Sequence, residues 1–127
     1  MSNNMKSAAS IKKLIRDNKN FLKRIYEEVR NTKTIRRASY KELHSVLYAV
    51  KYVADGKVPL TKKTWEIINS QKKKFDTFIE HFQDNQKFSI LVENSSQKEK
   101  EEFLFKHLKL IKLLLSAYFI HGSKSIG

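Results

Sequence analysis

Pro59 is the only proline in 127 residues, and it lies in the stretch VADGKVPLTKKTWE, residues 53 to 66, with Gly56, one of three glycines. These two residue types interrupt regular structure most strongly. A chain that gathers them in one place leaves long breaker-poor segments on either side. In those segments apolar residues recur at three- and four-residue spacing, the period of a helix and not of a strand. The expectation is an all-α fold: a compact single-domain bundle of four to six helices spanning residues 1–127, closed by a broadly apolar C-terminal helix. With 40% hydrophobic and 11% aromatic residues there is enough apolar material for one core. The ends, 1–6 and 122–127, are expected to be flexible.

The segments can be placed in order. Ile11, Leu14, Ile15, Leu22, Ile25, Tyr26 and Val29 fall on one stripe of a helix about 20 residues long, with Phe21 at its edge. The run DNKN, 17 to 20, is a weak spot able to split it. After the connector NTKTIRRAS, SYKE at 39 to 42 has a capping-box pattern, Ser39 with Glu42. A second helix follows, with Leu43, Val46, Leu47, Val50, Val53 and Ala54 inward. Gly56 ends it, Pro59 forbids continuation and biases Val58 toward extended geometry, Leu60 tucks under the core, and Thr61 caps the next helix. That third helix, 62 to 83, turns Ile68, Phe75, Phe78, Ile79 and Phe82 inward, with Trp65 packing near its start. FSILVE, 88 to 93, reads as a short helix, and Ser96 with Glu99 forms a second capping box. The last helix, EEFLFKHLKLIKLLLSAYFIHG, is apolar over more than half its circumference. Lys106, Lys109 and Lys112 form its polar strip, Glu102 is spaced to pair with Lys106, and the helix is expected to be the most buried.

Catalytic chemistry finds little support. The chain has no cysteine, which excludes disulfides, thiolate nucleophiles and sulfur-based zinc sites. There is no glycine loop to cradle phosphate, and His44, His81, His107 and His121 are scattered without a metal-ligand spacing. The expectation is a non-enzymatic protein without cofactor or metal. The opening MSNNMKSAASIKKLIRDN puts lysine and arginine where a secretory signal would need an unbroken apolar core, which points to an intracellular setting.

Charge is the stronger signal. The formal net charge is +13, and residues 1 to 51 hold 13 Lys and Arg against 4 Asp and Glu. A surplus so concentrated suits a polyanion. Lys12, Arg16, Lys19, Lys23 and Arg30 lie opposite the apolar stripe of the first helix, with Lys13 and Arg24 just beyond. Lys33, Arg36 and Arg37 continue the cationic run through the connector. These ten residues are the candidate nucleic-acid-binding set: they would meet phosphates without reading sequence. The competing reading is a solvated outer face, and a lysine-rich composition of 21 Lys to 5 Arg also follows from an AT-rich genome.

Two other features have a packing and a binding reading. Lys72, Lys73 and Lys74 form a second cluster, with Asp76 and Glu80 nearby. Tyr48 and Tyr52 are placed either to stack on bases or to pack against a second neighbour, and packing is the simpler account. The alternative function is an interaction module acting through the apolar C-terminal helix on an anionic membrane surface, a protein partner or a second copy.

The middle segment, SYKELHSVLYAVKYVADGKVPLTKKTWEIINSQKKKFDTF, resembles small basic helical proteins of Polinton-like and adintovirus-like elements. The matching residues are Gly56, Val58, Pro59, Leu60 and Thr61, followed by Lys62, Lys63, Lys72, Lys73 and Lys74. The insert VENSSQKEKEEF and the lack of paired C-terminal glycines depart from that pattern. The resemblance implies a viral or mobile-element accessory protein, DNA-associated and located in the virion or nucleus.

Overall fold

The computed structural model describes residues 7–28, 30 and 32–119. The stripe residue Val29, His121 and both expected flexible ends lie outside them. The regular structure among the described residues is entirely helical. It comprises α1 (Ala8–Asp17), α2 (Lys19–Glu27), α3 (Thr32–Arg36), α4 (Tyr40–Ala54), α5 (Lys62–Ser70), α6 (Lys72–Gln83), α7 (Asn85–Glu93), α8 (Gln97–Lys106) and α9 (Leu108–Ala117).

Nine described helices replace the expected four to six, for two reasons. The connector before Ser39 contains α3, and three of the expected long helices are each broken at one residue. Asn18 (φ −111°, ψ 21°), Gln71 (φ −126°, ψ 33°) and His107 (φ −114°, ψ 19°) each end one helix and begin the next. At Asn18 the cause is chemical. Its side-chain amide donates to the Leu14 carbonyl at 2.8 Å, competing with the backbone for a helical acceptor.

Where the sequence carried explicit end signals, the ends fall as expected. The Ser39 hydroxyl accepts from the Glu42 amide while the Glu42 carboxylate accepts from the Ser39 amide, and Ser96 with Glu99 repeats the arrangement. Thr61 caps α5 through the Thr64 amide. Gly56 follows α4 with φ 78°, the left-handed conformation that closes helices.

The centre of the fold is α4, not the C-terminal helix. Every residue from Leu43 to Val50 is buried, so the middle of α4 has no solvent side, and the helix packs against α1, α2, α6, α8 and α9. The expected broadly apolar C-terminal helix is two ten-residue helices, and α9 buries only Ile111, Leu114, Leu115 and Ala117. The side of α4 away from Leu43, Leu47 and Val50 carries the small residues Ser45 and Ala49, and both are fully buried. Other positions depart from the sequence reading too. Trp65 is 49% exposed and Tyr26 38% exposed. In the turn, Leu60 packs half-buried against the core as expected, and Val58 is buried beside it. Glu102 faces Arg36 at 3.6 Å instead of pairing with Lys106.

Three of the described lysines are structural. Lys51 of α4 donates to the Phe82 carbonyl at 2.7 Å and to Asn85 Oδ1 at 3.2 Å, with Asp55 at 3.3 Å and the Phe88 ring at 4.9 Å from its ammonium. It thereby stitches the α6–α7 joint to the hub. Lys100, almost fully buried, donates to the Ser95 carbonyl at 2.7 Å just beyond α7. Lys112, expected in the polar strip of the last helix, donates to the Glu28 carbonyl at the end of α2. A cation at a helix C-terminus satisfies an orphan carbonyl and complements the helix dipole.

Two outcomes test these assignments. Gly56→Ala should destabilise by roughly 1 kcal/mol in urea unfolding, through backbone strain alone, because an added Cβ meets nothing within 4 Å. Lys51→Met should cost about 2 kcal/mol, the scale of a charged hydrogen bond to a part-buried acceptor, whereas Lys73→Met on the open surface should stay near neutral.

Candidate nucleic-acid interface

The break at Asn18 divides the cationic face of the expected first helix. Lys12, Lys13 and Arg16 belong to α1, and Lys19, Lys23 and Arg24 to α2; Arg30 follows α2, Lys33 and Arg36 are on α3, and Arg37 follows it. Nine of the ten are exposed and Lys12 is half-buried.

Three of the ten carry acidic partners. Lys13 pairs with Asp17 at 2.9 Å, and that ammonium, helped by Arg16 and Lys41, holds the Asp17 carboxyl below the usual aspartate range. Arg24 lies 4.0 Å from Glu28 and donates to the Thr34 hydroxyl at 3.2 Å. Arg36 is held between Glu101 and Glu102, each at 3.6 Å, with its guanidinium 5.0 Å from the Phe105 ring centre. It is committed to docking α3 on α8. Lys12, Arg16, Lys19, Lys23, Arg30, Lys33 and Arg37 have no carboxylate at ion-pair distance among the described residues.

Part of this set is gathered around one cleft of about 910 Å³ between α2, α3 and the start of α4. Arg24, Arg30, Lys33 and Arg37 line it, against Glu28 and Glu42, a surplus of two positive charges. Both acids are already engaged. Glu28 accepts from the Thr34 hydroxyl, and one Glu42 oxygen accepts from the Ser39 amide at 2.8 Å. The Arg24–Thr34–Glu28 chain fixes one wall, which leaves Arg30, Lys33 and Arg37 as the lining cations without a carboxylate at ion-pair distance among the described residues. Buried Phe21 closes the floor.

The element that assembles this cleft is α3, which the sequence reading took for a connector. Its one apolar side chain, Ile35, is fully buried and anchors the turn that carries Lys33 and Arg37 opposite α2. Ile35, with the small buried Ala38 after it, was the available signal in NTKTIRRAS. Tyr48 is packed, edge-on to Phe88 with ring centres 5.2 Å apart, and Tyr52 is half-buried against the core. In the second lysine cluster, Lys72 pairs with Asp76 at 3.1 Å, and Glu80 is taken by Lys87 at 3.0 Å.

Two histidines that are far apart in sequence meet. The rings of His81 and His107 lie 6.5 Å apart beside Phe103, whose ring centre is 4.6 Å from that of His107. No group of three or more His, Asp or Glu that could hold a metal occurs among the described residues, and no helix there is long and apolar enough to cross a membrane. Compared with known proteins, the chain matches no family model, no curated protein and no solved structure.

Burial, then the Lys106 and His81 charges, pushes the His107 imidazole below the ordinary histidine value of 6.5. The folded state therefore favours neutral His107, and the unfolded chain takes up that proton first as pH falls. Stability from this group is complete above the ordinary histidine range and is lost as pH drops through it toward the lowered native value. Unfolding midpoints between about pH 7 and pH 5 should fall less steeply in His107→Gln than in the unaltered protein.

Proposed function

We propose that the protein binds nucleic-acid backbone, without catalysis and without reading base sequence, through the cationic surface of α1 to α3. The reading is carried by one observation: seven of the ten candidate cations have no acidic partner among the described residues, and three of these seven line the α2–α3 cleft. Unpaired lysine and arginine displace condensed counterions from phosphates, which gives affinity that is indifferent to sequence and steeply dependent on salt. Arginine suits the cleft in particular, because its planar fork can meet two phosphate oxygens at once. Base readout has no comparable support, since no short helix among the described residues presents arginine, asparagine and glutamine together for a groove.

Action through the C-terminal helix would need Ile111, Leu114 and Leu115 to leave the hub and Lys112 to abandon the end of α2. That cost favours the backbone-binding reading. The resemblance to mobile-element proteins rests on the Gly56–Thr61 turn, outside this surface, and a DNA-associated or virion setting would follow from it independently.

Binding to duplexes of unrelated sequence should be equal, and affinity should fall with salt along a linear log–log plot. Arg30→Ala with Arg37→Ala should reduce that slope by about two, one per lost phosphate contact, with little change in unfolding midpoint. Salt-insensitive binding, or a slope unmoved by the double substitution, would refute the assignment.

A further inference from the structure

A second groove, of about 650 Å³, opens between α6 and the α8–α9 joint, and no carboxylate lines it. Lys73 and Lys74 come from the first turn of α6, Lys106 from the end of α8 and Lys109 from the first turn of α9. All four are exposed, and none has an acidic partner among the described residues. Gln71, Thr77, His107 and Leu110 complete the lining.

Gln71 and His107 are the joints α5–α6 and α8–α9, where the negative dipole end of one helix meets the positive end of the next, so the field of the groove comes from its lysines and not from the backbone. The lysine stems, Leu110 and the His107 ring give the groove an apolar floor beneath its cationic rim.

We propose that this groove is a second anion site, built for the phosphate chain of a polyphosphorylated ligand of nucleotide size. Lys73, Lys74, Lys106 and Lys109 meet the phosphate oxygens, and the His107 ring forms the face beside them. Four ammonium groups with no competing carboxylate suit a ligand of several negative charges better than a single phosphate. The volume lies within the range of small-molecule pockets. The site is separate in sequence and lining from the α2–α3 cleft and does not depend on nucleic-acid binding there.

His107 supplies a local probe. A bound anion opposes the Lys106 and His81 charges, so its titration should move upward on binding, against the positive field of Lys73, Lys74 and Lys109 around it. The experiment is a nuclear magnetic resonance titration of the imidazole signals in the full chain, with inorganic tripolyphosphate and, separately, adenosine triphosphate. Both probes should shift the His107 signals saturably and raise its titration midpoint. Equal affinities would assign recognition to the phosphate chain alone; tighter binding of the nucleotide would add the base. Lys73→Gln, Lys106→Gln, Lys109→Gln in one chain should weaken binding at least about tenfold. A control that removes the same charge elsewhere, Lys19→Gln, Lys23→Gln, Arg30→Gln, should leave the His107 response intact. His107 signals unmoved by either probe, or equal weakening in the two triple variants, would overturn the site. Because the readout is the ring itself, failure of the α2–α3 cleft to bind nucleic acid would not alter either result.

Discussion

Helix ends dominate the physical problem this chain has to solve. Each end leaves about four backbone groups without an intrahelical partner, and a fold built of short helices has many ends. The sequence meets part of this locally, with Ser7, Ser39, Thr61, Asp84 and Ser96 accepting from first-turn amides. The carbonyl ends are met from elsewhere in the chain. Lys51 reaches the end of α6, Lys112 the end of α2, Gln83 the last carbonyl of α4 at 2.9 Å, and Gln97 the Ala38 carbonyl beyond α3 at 2.9 Å. Each of these bonds satisfies an orphan acceptor and fixes the position of one helix against another. Helices of nine or ten residues are marginal alone in water, so these ties and the α4 packing must form together.

The same arrangement changes how the charge of the chain should be read. A net charge of +13 invites the inference that lysine is there for a partner. Lys51, Lys100 and Lys112 instead serve as donors within the fold, and Arg36 clamps α3 to α8 between two glutamates. What is left for a polyanion is a smaller set, distributed over α1, α2, the α3 region and the α6 to α9 groove. Composition alone does not separate the two roles, because a cap and a phosphate contact ask for the same ammonium group.

How much of this was legible in the sequence depends on the range of the cause. Local causes were legible: both capping boxes, the Thr61 cap and the weak spot at Asn18 arise from side chains acting within four residues, and the closure at Gly56 from the backbone freedom of glycine. The inward residues of α4 and α6 followed from periodicity. Breaks at Gln71 and His107 were not legible, since neither carries a glycine or proline signal. The His107 ring settles among Phe78, Phe103 and His81, partners as many as 29 residues away. Trp65, expected to pack near the helix start, is half exposed there because the turn at Pro59 sets α5 at the margin. In the candidate cleft, the identity of the cations was readable. Their convergence was not, because it depends on Ile35 anchoring α3.

Enclosure of the Leu43–Val50 stretch of α4 has a consequence for evolution as well as for packing. That stretch offers nothing to the outside, so substitutions in it answer first to volume and shape. Exposed side chains are left to the first turn of α4, where Tyr40 and Lys41 face solvent, and to the short peripheral rods. Those rods can exchange charged side chains, shift by a residue or acquire a new neighbour while the central spindle stays the same. Such a layout lets the exterior diversify rapidly around a slowly changing axle.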